Sequence, residues 1–164
     1  MLDSPRIRMA QVLVVCTGNI CRSAMGAVFL REHLRAAGAG HVEVVSAGTH
    51  AEAGRPALPE AVAAVAGIRG DLSTHRATPL DLVAASEADL VLCAAREHRV
   101  HILSWWPDVP ADHVRLFNEP IAGDAPPDVD DPYGWDEGVF RLAARVIDRA
   151  MHAWAQDLAA RWPP

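Results

Sequence analysis

One stretch of the chain sets a thiol and a guanidinium at a spacing that could do chemistry: Cys16-Thr17-Gly18-Asn19-Ile20-Cys21-Arg22-Ser23. A thiolate is a good nucleophile toward phosphorus. A guanidinium offers a planar fork of donors that matches two phosphoryl oxygens. Between them, Gly18 and Asn19 are the residue types that best tolerate positive φ, so the loop can curl with successive N–H groups pointing inward as a nest for an anion. Eight residues would thus supply a nucleophile (Cys16), an oxyanion cradle and a charge clamp (Arg22). The charge that a metal would otherwise neutralise falls to Arg22 and the backbone N–H groups, and no cofactor is called for.

The elements on either side make this reading specific, because a lone C-x5-R recurs by chance. The run MAQVLVV, Met9 to Val15, is apolar and Val-rich and predicts a buried parallel strand. Ser23 to Ala37 predicts a helix, with Met25, Val28, Phe29 and Leu34 on its apolar side and Gly38 and Gly40 to stop it. The loop therefore wraps a helix N-terminus, whose free N–H groups and positive dipole end favour both the Cys16 thiolate and a bound anion.

Further along, residues 41–45 predict a second strand, SAGTHAEAGRP a loop, and Pro59 to Ala66 a helix with Pro in its first turn. Thr78 reads as the cap of a short helix, with Asp81 as its capping-box acid. Ala88 to Ala94 predicts a third strand, Arg96 to Trp105 a helix and Val114 to Phe117 a fourth strand. Asn118 to Trp135, rich in Pro, Gly and Asp, predicts a long loop. Asp136 to Arg161 predicts a long helix with Val139, Leu142, Val146, Ala150 and Trp154 on one stripe. Alternating strands and helices predict an α/β fold: a four-stranded parallel sheet flanked by helices on both faces, with ligands at the carboxyl ends of the strands. Residues 1–8 read as a flexible tail and 9–162 as one domain.

Composition removes other classes. The chain has 164 residues, a net charge of −6 and 51% hydrophobic residues, which suits a globular domain. Its 15 basic residues other than histidine are all Arg. Without Lys there is neither a Walker-type nucleotide loop nor a Schiff base. Basic residues are scattered rather than patched, so no nucleic-acid partner is expected. No segment could span a bilayer, so no membrane partner is expected. Three cysteines with no framework spacing point to a reducing cytoplasm. Oligomeric state is not legible.

VLVVCTGNICRS resembles the C-x-G-N-x-C-R-S signature of the low-molecular-weight protein tyrosine phosphatases. Ser46-Ala47-Gly48-Thr49 matches the family's SAGT. Gly67-Ile68 with Ser73, His75 and Arg76 is similar to its G-I…S-x-H-R stretch, and Asp131-Pro132-Tyr133-Gly134 to its D-P-Y segment. The motifs come in the family's order over roughly residues 11 to 160. The resemblance implies a four-stranded parallel sheet and hydrolysis of phosphotyrosine on a protein substrate through a phosphocysteine. It implies Cys16 as nucleophile and phosphoryl binding by Arg22 and the loop Thr17, Gly18, Asn19, Ile20 and Cys21. Ser23 would hydrogen-bond the thiolate, and Asn19 would hold the loop through Ser46 and His75. It implies Asp131 as the general acid. The residues alone leave Asp124, Asp128, Asp130, Asp131 and Asp136 open for that role. It also implies that Cys16 and Cys21 can close into a reversible disulfide that protects Cys16 from over-oxidation.

The chain departs from the family where P-M-A-E usually follows the signature; here Ala24-Met25-Gly26-Ala27 stands, and the expected effect is on packing. Thr17, His50 and Tyr133 are candidates for the pocket mouth. Cys93 reads as a core residue, His98 and His101 as solvated on a polar helix, and Trp105-Trp106-Pro107 as a packed helix end. Two other functions compete. An arsenate reductase with an intramolecular relay would want a cysteine seven residues beyond Cys93, where Val100 stands. A non-catalytic phospho-ligand module would not need Cys16, Arg22, Ser23 and Asp131 together.

Overall fold

The computed structural model describes residues 8–164; residues 1–7 of the expected tail lie outside the described residues. Among the described residues four strands and five α-helices follow one another: β1 (Gln11–Cys16), α1 (Arg22–Ala36), β2 (Glu43–Gly48), α2 (Pro59–Ala66), α3 (Leu82–Glu87), β3 (Leu90–Cys93), α4 (Arg96–Trp105), β4 (Val114–Leu116) and α5 (Glu137–Arg161). The strands pair in parallel in the order β2-β1-β3-β4, the expected sheet.

Both faces of the sheet are covered because β1 is apolar at every position after Gln11, not at alternate ones. Side chains of a strand alternate between faces. Val12, Val14 and Cys16 accordingly pack in one core with Met25, Phe29, Phe117, Phe140, Ile147 and Met151. Leu13 and Val15 enter the other with Val91, Cys93, Ile102 and Val114. Burying each such large side chain contributes roughly 2 kcal/mol. The sequence departure at Gly26 bears on this packing. A Cβ there would stand 3.2 Å from Val14 Cγ1 and 3.3 Å from Phe117 Cζ, so glycine lets α1 lie close against β1 and Phe117.

Three expectations need correcting. First, β2 continues through Ser46, Ala47 and Gly48, which read as loop; these three pair with Val14, Val15 and Cys16, and ladder pairing overrides their weak strand propensity. Second, Asp81, not Thr78, caps α3: its Oδ1 accepts from the Ala84 N–H at 2.8 Å, while Thr78 N–H donates to Asn19 Oδ1. Third, the buried face of α5 is Phe140, Ala144, Ile147, Ala150, Met151, Trp154, Ala155 and Leu158, so of the expected stripe Ala150 and Trp154 hold. Leu142 is 63% exposed and Val146 39%, so at its N-terminal end the true stripe is rotated by about a third of a turn from the one expected. Among the described residues no helix is long and apolar enough to cross a membrane.

Candidate active site

The loop between β1 and α1 sits at the carboxyl end of the central strands, where parallel sheets bind ligands. Cys16 ends β1 and Arg22 begins α1. Cys16 is buried. Its Sγ lies 3.0 Å from Ser23 Oγ and accepts from the Asn19 N–H at 3.3 Å. The N–H groups of Gly18, Ile20 and Cys21 find no acceptor among the described residues. Donors gathered at a helix N-terminus call for an anion.

Asn19 holds this loop from inside. It is fully buried and takes φ = 54°, a conformation that Asn tolerates better than most residues. Its Nδ2 donates to Ser23 Oγ at 2.8 Å and to Ser46 Oγ at 3.0 Å, and its Oδ1 accepts from Thr78 N–H at 2.9 Å. Its carbonyl accepts from His75 Nε2 at 2.7 Å; burial lowers the His75 pKa, with that hydrogen bond opposing. With Nδ2 donating to Ser23 Oγ, the Ser23 proton has two acceptors in reach, Cys16 Sγ at 3.0 Å and Ala47 O at 3.4 Å, and the contact to sulfur is the shorter. Gly48 closes the cradle from β2. A Cβ there would stand 2.5 Å from Thr17 O and 2.9 Å from Asn19 N, and these backbone atoms cannot swing aside. Gly48→Ala is therefore expected to destabilise the fold by about 1–3 kcal/mol. Thermal unfolding and phosphate affinity, measured together, should both fall.

Arg22 is 3% exposed. Its Nη1 donates to Val129 O at 3.0 Å, its Nη2 lies 3.4 Å from Asp131 Oδ2, and its Nε has no partner. The guanidinium is thus held at one edge while a donor stays free. Asp131 Oδ1 accepts from Tyr133 N–H at 3.1 Å and lies 3.7 Å from Cys21 Sγ. Burial, then the neighbouring Cys16 and Asp131, push the Cys21 thiol up to about 12, so it stays protonated. A cavity of about 190 Å³ opens over Cys16, Thr17, Gly18 and Arg22, with Arg55, Asp131 and Tyr133 at its wall.

The structure thus brings Cys16, Arg22, Ser23 and Asp131 together, joins Asn19 to Ser46 and His75, and places Tyr133 and Thr17 on the cavity. His50 is a correction. Its N–H donates to Thr17 O, but its ring packs edge-on against His101 at 5.5 Å rather than lining the cavity. Trp105 is also corrected: it is 70% exposed and stacked on His101, while Trp106 packs on the second core. Cys93 is a core residue of that same face, and burial raises its pKa. A larger cavity, about 610 Å³, lies over α1 and α5. There Asp148 pairs with both His33 and Arg69, and the lining residues include no cysteine, serine or threonine.

His98 was expected in solvent and is 1% exposed. The N-terminal turn of α4 folds its ring inward: Nδ1 accepts from Ala95 N–H at 3.0 Å, and Nε2 meets Thr17 Oγ1 at 2.9 Å. Burial, reinforced by the Arg22 charge and opposed by Asp131 and Asp128, pulls its pKa down to about 4. The unfolded chain takes up that proton near 6.5 and the folded chain only near 4. The associated stability is fully present above pH 6.5 and is lost as pH falls toward 4. The gap corresponds to about 3 kcal/mol. Denaturant unfolding at a series of pH values is expected to show a loss of that order between pH 6.5 and 4 that His98→Asn lacks.

Comparison with known proteins follows the same residues. Residues 11–162 match the model of a family described as low molecular weight phosphotyrosine protein phosphatase. A probable low molecular weight protein-tyrosine-phosphatase, EpsP of Ralstonia solanacearum, is 36% identical over 91% of this chain and 96% of its own. The crystal structure of a low molecular weight protein tyrosine phosphatase from T. tengcongensis is 34% identical, with a TM-score of 0.82 over 90% of this chain and 99% of its own. The arginine phosphatase YwlE, solved as a variant with a phosphorylated active-site serine, is 28% identical, with a TM-score of 0.82 over 90% and 95%.

Proposed function

Because the chain belongs to the low molecular weight phosphotyrosine protein phosphatase family, a family of hydrolases, we propose that it hydrolyses phosphotyrosine on proteins through a phosphocysteine formed on Cys16, without a metal. The supporting observation is the meeting of three things in one small cavity: a thiol with two hydrogen-bond partners, N–H groups lacking acceptors, and an arginine with a free donor. A phosphoryl dianion would satisfy all the unpaired donors at once.

In the first step the Cys16 thiolate attacks phosphorus, the bond to the tyrosyl oxygen breaks, and Asp131 gives its proton to the leaving phenolate. In the second, Asp131 takes a proton from water as the water attacks phosphorus. The Cys16 thiolate then leaves, helped by the hydrogen bond from Ser23. Arg22 and the loop N–H groups carry the equatorial oxygens throughout. The phosphorylated serine in the related YwlE variant agrees with a covalent phosphoenzyme. Three free thiols suit a reducing compartment, and we place the enzyme in the cytoplasm.

The test is hydrolysis of p-nitrophenyl phosphate and of phosphotyrosine peptides by reduced enzyme in the presence of a chelator, with phosphoarginine as the comparison. Turnover of the aryl esters supports the reading. Faster turnover of phosphoarginine would move the substrate class to that of YwlE. No turnover of either overturns the reading and makes arsenate with a thiol reductant the next substrate, although burial of Cys93 in the far core leaves it badly placed for a disulfide relay.

A further inference from the structure

We propose that His98 is a positioning residue that turns the Thr17 hydroxyl into a hydrogen-bond donor for a phosphoryl oxygen, so that α4 takes part in reading the oxyanion. The inference rests on the proposed phosphoryl site and adds to it a side-chain donor that the backbone cradle does not supply.

The Ala95 N–H donates to His98 Nδ1, so Nδ1 carries the lone pair. In a neutral imidazole the single proton is then on Nε2. Nε2–H points at Thr17 Oγ1, 2.9 Å away, so that oxygen accepts. A hydroxyl that accepts from a fixed donor must send its own hydrogen elsewhere. Thr17 Oγ1 has no second partner among the described residues, and Thr17 lines the cavity over Cys16. The remaining direction for its proton is the cavity, where the loop N–H groups already await an anion.

The ring stays neutral because of what surrounds it. His98 is buried and shares its setting with Arg22, whose charge disfavours a second positive group, and with Asp131 and Asp128, which pull the other way. Exposed Glu97 reaches only 3.6 Å from Nε2, a looser contact than the 2.9 Å to Thr17. Were the ring to protonate at Nδ1, the Ala95 N–H would lose its acceptor. The bond from the α4 N-terminus therefore sets the proton position at the far side of the ring.

The test separates the two ends of the imidazole. His98→Asn can still accept from Ala95 N–H but cannot reach Thr17; His98→Gln can still present a donor near Thr17. Thr17→Val keeps the β-branched shape and removes the hydroxyl. Binding of inorganic phosphate, read by calorimetry or by competition with vanadate, needs no turnover. It stays informative even if the hydrolytic reading fails. Thr17→Val is expected to weaken phosphate binding about 10-fold, as loss of a hydrogen bond to a charged group does. His98→Asn should weaken it several-fold, and His98→Gln should recover most of that. In the Thr17→Val background His98→Asn should have no further effect. Melting temperatures identify any variant that has merely unfolded, and Thr17→Val, altered at the cavity wall, still decides the case. Unchanged phosphate affinity in Thr17→Val, or effects of the two substitutions that multiply rather than overlap, overturns the proposal.

Discussion

Cys16→Ser is expected to abolish hydrolysis of p-nitrophenyl phosphate, a loss of roughly 10⁵-fold or more, the scale seen when a covalent nucleophile is removed. The reason lies in what surrounds Sγ. The Asn19 N–H at 3.3 Å and Ser23 Oγ at 3.0 Å are placed to stabilise a thiolate. The same contacts cannot draw a proton from a far weaker acid such as a serine hydroxyl. The oxyanion cradle, by contrast, is made of backbone N–H groups and Arg22, none of which the substitution touches. Phosphate affinity should therefore persist while turnover vanishes. That pairing tests the nucleophile separately from the binding site. Residual turnover within about 10² of wild type would mean that Cys16 only assists, since a positioned acid or base alone supplies 10²–10⁴.

The part of this site that was legible in the sequence is the part that is contiguous. Cys16 to Ser23 fold as one turn between a strand and a helix, so residue spacing already dictates that a thiol, N–H groups and a guanidinium share a bowl. The sheet was legible for a similar reason: β1 and β3 are short apolar runs whose burial on both faces shows in the absence of alternation. What depends on partners across the fold was harder. Ser46 to Gly48 look like loop until β1 is available to pair with them. The stripe on α5 mixes Val, Leu, Ala and aromatic residues on two faces, and contact with α1 and α2, not periodicity alone, selects Phe140 and Ile147 over Leu142 and Val146. His98 was lost for the most instructive reason. Its neighbours Arg96, Glu97 and Arg99 make α4 read as polar, yet the helix starts at the carboxyl end of β3, beside the site. A histidine in the first turn of a helix at that sheet edge was the available signal. Val129, whose carbonyl fixes Arg22, carried no signal at all, because the bond is made by backbone.

Asp131 was the one reactive residue that residue types alone could not choose, and its role makes the sharpest use of substrate chemistry. Asp131→Ala is expected to lower turnover of phosphotyrosine by roughly 10²–10⁴, the usual contribution of a general acid. The loss should not be uniform. A general acid matters in proportion to how poorly the leaving group departs unaided. Tyrosine, with a phenol pKa of about 10, needs the proton far more than p-nitrophenol, a much stronger acid. Measured across a series of aryl phosphates, the variant should show a steep dependence of kcat on leaving-group acidity where wild type is nearly flat. Asp131 also stands 3.4 Å from Arg22 Nη2, which supplies the alternative: if the carboxylate only orients the guanidinium, Asp131→Ala would slow all esters equally and weaken phosphate binding as well. The carboxylate is 47% exposed while Arg22 is buried and already tethered to Val129, so orientation has a second source and proton delivery has none. A uniform loss across the series would remove Asp131 from the chemistry and leave it as a support for Arg22.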